Sequence, residues 1–384
     1  MGPLAGLRVL EVAGIGPGPF CGMLLGDLGA EVIRIDRPGG APLATVDPLR
    51  RNRRSVVLDL KHADGLAALL ALAGQADALI EGFRPGVAER LGFGPDVCLA
   101  RNPRLVYGRV TGWGQEGPLA AAPGHDLNYL ALTGALHAIG RAGEPPVPPL
   151  NLVGDFGGGG LLLAFGLVSA LLAAVRSGHG QVVDATMLDG INAQMAMFHG
   201  FRAAGLFDGG TGTHFLGGAA HYYATYETAD GRYLAVAALE PAFYAELIRL
   251  AGLDPARFGA HGLGAGPVPD PDWPGLKAEL AAVFRTRSRD EWCALLEGTG
   301  ACVAPVLTLD EAAGHPHHVA RGSFVSVGGV LQAAPAPRFG GTPPGPPRPP
   351  VLPGTDTRAV LAEAGYTAGD IDALIAAGAA AAAP

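Results

Sequence analysis

The chain has 384 residues, enough for two domains and a sizeable core. Hydrophobic residues make up 49%, which excludes a disordered chain. Charged residues are only 16% and the net charge is -8, which argues against a nucleic-acid partner. Lys61 and Lys277 are the only lysines among 27 basic residues. That bias, with 60 glycines and 33 prolines, points to a GC-rich genome and lowers the weight of any single Gly or Arg. The four cysteines, Cys21, Cys98, Cys293 and Cys302, show no CxxC spacing, so neither a metal site nor a disulfide framework is expected. Residues 1–6 lack the basic and apolar regions of a secretory signal, and a reducing cytoplasm is the expected location.

The first third alternates strand and helix patterns. Strands are predicted at 7–12, 31–35, 55–60, 77–81 and 105–111, with helices at 20–28 and 63–73 between them. Strands and helices joined by short connections give a parallel sheet in an α/β layer. A helix follows at 161–175. The uncharged stretch 156–175 is long enough to span a membrane, but its glycine run at 157–160 shortens it, and a buried core helix without a membrane span is expected. An extended segment at 181–185 leads into a helix ending near 202. The character then changes. A Gly-rich loop at 214–220 precedes a hairpin, 222–227 and 232–237, turned by Asp230-Gly231. Helices at 241–251, 274–284 and 289–298 and a strand at 302–307 make a second, smaller α+β domain. A Pro-rich extended linker at 333–353, helices at 357–364 and 368–376, and an Ala-rich end complete the chain.

Several residues carry chemistry, and each has a plain structural reading beside it. Gly14-Ile15-Gly16-Pro17-Gly18-Pro19 after the first strand imitates a dinucleotide fingerprint, with Asp36 ending the next strand. Pro19 replaces the third glycine and two prolines remove N–H groups from the loop, so a tight β–α turn is the better reading. The run Arg50-Arg51-Asn52-Arg53-Arg54 is either a solvated edge or a phosphate-holding cluster. Arg37 and Arg84 sit just past strand ends, where parallel sheets bind ligands. Gly124-His125-Asp126 and Gly154-Asp155-Phe156 each set an ionisable residue before a helical pattern. They are either helix caps or a base and an acid displayed at helix starts. Glu240, before Pro241, carries the same ambiguity.

These motifs, with Gly6-Leu7-Arg8-Val9, Gly26-Asp27-Leu28-Gly29-Ala30, Ile35-Asp36-Arg37-Pro38, the run Gly124 to Tyr129, the run Pro149 to Gly159 and Glu240-Pro241-Ala242-Phe243-Tyr244, resemble the family III CoA-transferase superfamily, in its α-methylacyl-CoA racemase branch. The resemblance covers nearly all of residues 3–340. It implies an interlocked homodimer whose large α/β domain is formed by residues 1–186 and 331–376. A linker helix over 187–212, a small domain over 213–330 and a low-complexity, frayed tail over 377–384 would make up the rest. It implies an acyl-CoA substrate, with CoA part of the substrate and no separate cofactor or metal. Arg37 would contact adenine. Leu58, Asp59, Leu60 and Lys61, with Gly82 and Arg84, would hold the nucleotide and pantetheine, and Arg90 a phosphate. Ile15, Gly124, Asp126, Asn128 and Tyr129 would complete the binding site. His125 and Asp155 would be the two catalytic bases, and Glu240 of the other subunit would orient His125.

The expected reaction interconverts (2R)- and (2S)-2-methylacyl-CoA through an enolate, which needs one acid–base group on each face of the reacting carbon. The glycines at 157–160 would let backbone approach the thioester, and N–H groups near Asp155 would form an oxyanion hole. Two alternatives stand beside it: a CoA-transferase with Asp155 as nucleophile, and a non-catalytic CoA-binding dimer. One departure is visible. Where the racemases carry an Asn-Met-Leu-Asp-Gly-Gly-Ala-Pro-like loop, this chain reads His214-Phe215-Leu216-Gly217-Gly218-Ala219-Ala220-His221, which puts the acyl pocket and substrate identity in question.

Overall fold

Six short apolar runs become the six parallel strands of one sheet: β1 (Arg8–Val12), β2 (Glu31–Asp36), β3 (Arg53–Leu58), β4 (Ala78–Glu81), β5 (Val106–Thr111) and β6 (Val182–Thr186). The computed structural model describes residues 2–39, 45–259, 261–264 and 268–383. Its contacts divide the chain into two units, the first comprising Met1–Leu130, Leu150–Ala193 and His317–Pro384. The strand order β3-β2-β1-β4-β5-β6 reverses direction between β1 and β4, the crevice where doubly wound sheets bind ligands.

Adjacent residues of β1 serve opposite layers. Val9 packs with Leu25, Ile80, Leu163 and Leu167 on one face, and Leu10 with Ile33, Leu69, Leu72 and Leu361 on the other. Both faces of the sheet are therefore covered, and the strands read as nearly continuous apolar runs.

Four expectations are corrected here. First, the Ala-rich end does not fray through its whole length. Ala380–Ala381 adds an antiparallel strand to β3, and Ala379 and Ala380 are buried; Pro384 lies outside the described residues. Small side chains let this edge strand sit close to β3. Second, the helix expected from 161 begins earlier, as a wide π-helical segment (Leu152–Leu161) that continues into the α-helix Leu162–Ser177. By length and apolar composition it could cross a membrane. Leu163, Leu167 and Leu171 face the core, while Leu161, Phe165, Val168, Leu172 and Val175, spaced four and three residues apart, are exposed. It is a core helix on one side only. Third, the segment 187–202 breaks into Met187–Gln194 and Ala196–Ala203. Fourth, most of the arginine run is no solvated edge. Arg50, Arg51 and Arg53 are buried. Arg50 pairs with Asp36 at 2.9 Å, Arg53 with Glu11 at 2.7 Å, and Arg51 Nε donates to Asp27 at 2.8 Å. Arg34 bridges Glu11 and Asp36. The run leads into β3, an interior strand, so its guanidinium groups must find carboxylates.

A hairpin not foreseen from the sequence, Phe324–Val327 with Val330–Ala333, turns on Gly328-Gly329. Gln332 on its second strand accepts from Arg51 Nη1 at 2.8 Å.

The second unit comprises Ala131–Pro149 and Gln194–Pro316. Its sheet is β7 (Tyr223–Glu227), β8 (Tyr233–Ala237) and β9 (Val303–Pro305), antiparallel throughout. The helices Pro241–Leu250, Trp273–Phe284 and Arg289–Leu296 supply Tyr244, Leu247, Leu276, Phe284 and Trp292 to its core. A Ser288–Glu291 capping box starts the third helix. Both units together give the α/β fold with a smaller α+β part.

Candidate active site

The C-terminal ends of β1 to β5 and the loops beyond them enclose a cleft of about 890 Å³ within the first unit. After β1 the loop Gly14–Pro19 opens the helix Pro17–Asp27, with Pro17 at its first position. Gly16 has φ 67°, and a Cβ there would lie 2.9 Å from Asp155 Oδ2. The glycine is thus needed twice, for its backbone and for room beside a carboxylate. Ile15 is 81% exposed at the rim.

The structure brings together in this cleft thirteen residues singled out from the sequence: Ile15, Arg37, Leu58, Asp59, Leu60, Lys61, Gly82, Arg84, Arg90, Gly124, His125, Tyr129 and Asp155. Arg37, Lys61, Arg84 and Arg90 are exposed, and none makes an ion pair among the described residues. Four unpaired cations around one cleft suit a polyanion. Arg50, also on the cleft wall, differs because Asp36 already holds it.

Asp155 is half-buried in the first turn of the π-helical segment and accepts from Asn151 Nδ2 at 3.3 Å. It lies inside the helix, so the cap reading is corrected: Asn151 occupies the position before the helix. Burial pushes the Asp155 carboxyl above the usual carboxylate range, and the charge of Asp126 adds to this; Asn151 and His125 oppose it. His125 is exposed, and its backbone N–H donates to Asn128 Oδ1 at 3.0 Å. Tyr129, edge-on to Trp113 at 4.7 Å, is buried against the same cleft. Its phenol is pushed up by burial and by the nearby Asp155 and Asp126.

Two residues expected to bind substrate do not line the cleft. Asp126 turns its carboxylate to the Asp155 N–H at 2.7 Å, and Asn128 is spent on the His125 backbone. This corrects the expected oxyanion hole as well, because the Asp155 N–H is taken by Asp126 and the Phe156 N–H by the Asn151 carbonyl. The glycines at 158–160 are closely packed. Cβ atoms at 159 and 160 would strike Pro17, and one at 158 would press on Met187 and Ile191. Phe20 stacks on Phe156 at 4.6 Å beside them. Asn151 was missed from the sequence; its spacing of four from Asp155, one helical turn, was the available signal.

In the second unit Glu240 stands at the N-cap of the helix Pro241–Leu250 and is exposed, and its side chain makes no capping bond. The helix-start reading therefore fails to use its carboxylate. The altered loop turns inward. His221 is fully buried, with Nε2 2.8 Å from Tyr244 Oη, and burial with the neighbouring His261 pushes its imidazole down to about 3. His214 caps the turn Phe215–Gly217 by accepting from the Leu216 N–H at 3.1 Å. Both histidines belong to the interior of this unit.

Residues 4–357 match the model of CoA-transferase family III. The chain belongs to that family. It is 44% identical over 371 residues to the α-methylacyl-CoA racemase of Mus musculus, covering 96% of this chain and 95% of the mouse protein. It is 43% identical over 375 residues to that of Homo sapiens, with the same coverage. Among solved structures, a CaiB/BaiF family protein from Brucella suis superposes with a TM-score of 0.79 at 25% identity, covering 94% of this chain and 99% of that one. The family III fold accordingly extends over both units.

Proposed function

We propose that this family III protein is an α-methylacyl-CoA racemase, interconverting the two epimers of a 2-methylacyl-CoA by a two-base proton transfer. The observation that carries the reading is the identity of 43–44% to two racemases over 96% of the chain. The cleft supplies the parts. Arg37, Lys61, Arg84 and Arg90 offer unpaired charge for the phosphates and adenine of CoA, and Leu58 to Leu60 with Gly82 offer a wall for the pantetheine.

Removing the α-proton of a thioester leaves an enolate, so a base must meet the proton and donors must meet the oxygen. His125 takes or returns the proton on one face and Asp155 on the other. A carboxyl with raised proton affinity is suited to the acid half of the cycle as well as the base half. Of the first N–H groups of the helix Asp126–Leu132, those of Asn128 and Tyr129 bond to the His125 carbonyl, while those of Asp126 and Leu127 make no hydrogen bond among the described residues and suit the enolate oxygen. CoA is part of the substrate, and the proton transfer draws on no further cofactor.

The protein works in our reading as a cytoplasmic homodimer in which the partner subunit's Glu240 orients His125. The exposed apolar stripe on Leu162–Ser177 and the uncommitted carboxylate of Glu240 support an interface. Light scattering at micromolar concentration is expected to give twice the chain mass; an active monomer would overturn the dimer.

The test of function is incubation of one epimer in D2O without any acceptor acid. Deuterium at the α-carbon and convergence on both epimers is the expected result. An untouched α-centre, with CoA moving only when a second carboxylic acid is added, would make the protein a transferase.

A further inference from the structure

We propose that Asp126 is a positioning residue: its carboxylate joins the chain segments that carry His125 and Asp155 and sets a negative charge beside Asp155. The inference rests on the racemase reading of the same site. Asp126 adjoins His125, yet its side chain turns from the cleft to the other segment, where Oδ2 accepts the Asp155 N–H at 2.7 Å. The seat is built for it. A Cβ on Gly154 would lie 2.3 Å from Oδ2, so a larger residue at 154 would expel the carboxylate. Asp126 is 8% exposed, and its Oδ1 has no hydrogen-bond partner among the described residues.

A plain helix-end cap needs only an acceptor, which Ser, Thr or Asn supplies without the cost of burying charge. The carboxylate adds a negative charge beside a second carboxyl that must hold a proton in half of the cycle. Like charges that share a site favour protonation of one of them. The other groups acting on Asp155 are His125, from the same helix start as Asp126, and the Asn151 amide. Tyr129 lies close enough to feel both carboxylates. His125 and Asn151 favour the ionised form of Asp155, and burial and Asp126 favour the neutral one. Asp126 is thus the charged group that, with burial, pulls Asp155 toward keeping a proton.

The test is the pH dependence of kcat/KM for inversion, measured on wild type, Asp126→Asn and Asp126→Glu with an epimerically pure 2-methylacyl-CoA. Asp126→Asn keeps an acceptor for the Asp155 N–H and removes the charge. Its acid limb is expected to move to lower pH by about one pH unit, and inversion near neutrality to fall about tenfold. Asp126→Glu restores the charge and is expected to keep the wild-type limb at a reduced rate. Should the Asn variant not fold, Gly154→Ala, which displaces the carboxylate from its seat, is expected to move the limb in the same direction. An Asn variant that folds and keeps the wild-type limb, whatever its rate, would overturn the proposal. Wild type that exchanges no α-hydrogen would instead overturn the racemase reading.

Discussion

Two sets of arginines serve one sheet, and they do opposite work. Arg50, Arg51 and Arg53 are buried and each is bound to a carboxylate, Asp36, Asp27 or Glu11. Arg37, Arg84 and Arg90 lie past the ends of β2 and β4, exposed on the cleft and without an ion pair among the described residues. The first set belongs to the densest basic run in the chain, yet in our reading it is the second set that meets a ligand. Pairing, rather than local density of charge, separates a structural cation from a binding one. A buried guanidinium without its carboxylate carries a heavy desolvation cost, whereas an exposed one remains free for a phosphate.

The largest effect is expected from Arg53→Ala. It strips Glu11, fully buried, of one of its two arginines and removes the bonds of Arg53 to the Arg51 and Pro19 carbonyls. Breaking such a buried pair costs about 3–5 kcal/mol, read as a large drop in the denaturant midpoint. A variant as stable as wild type would show that these ions are not structural. Arg37→Ala is expected to leave the midpoint unchanged and to raise KM, and the calorimetric Kd for free CoA, by about tenfold or more, with kcat little altered. A silent Arg37→Ala would remove it from the ligand.

Much of the fold was legible because β1 to β6 are short apolar runs with clear turn residues between them. Less legible was anything decided by partners distant in sequence. No local pattern says that Ala380–Ala381 will pair with β3, because poly-alanine lacks a periodic face. The hairpin at Gly328-Gly329 did carry a two-glycine turn signal, hidden by the many glycines of this composition. At the site, His125 and Asp155 were legible from their motifs, and the cleft gathers both with Arg37 and Tyr129. The side chain of Asp126 was not, since its partner lies 29 residues away and only the packed structure shows that it faces Gly154 and Asp155. The glycines at 158–160 were legible as a close approach, and among the bodies they approach are Pro17, Met187 and Ile191.

In our reading His125 and Asp155 work on opposite faces of one carbon. The direct measurement takes His125→Ala and Asp155→Asn, supplies each with either pure epimer of a 2-methylacyl-CoA in D2O, and follows inversion and α-deuteration separately. Two bases predict that each variant loses inversion by about a hundred- to ten-thousand-fold. Each is expected to retain exchange, without inversion, for one epimer only, and the surviving epimer should differ between the two variants. A variant that still inverts, or two variants that exchange the same epimer, would contradict the account. So would an acyl adduct trapped on Asp155 by hydroxylamine in wild type that leaves the α-centre unlabelled.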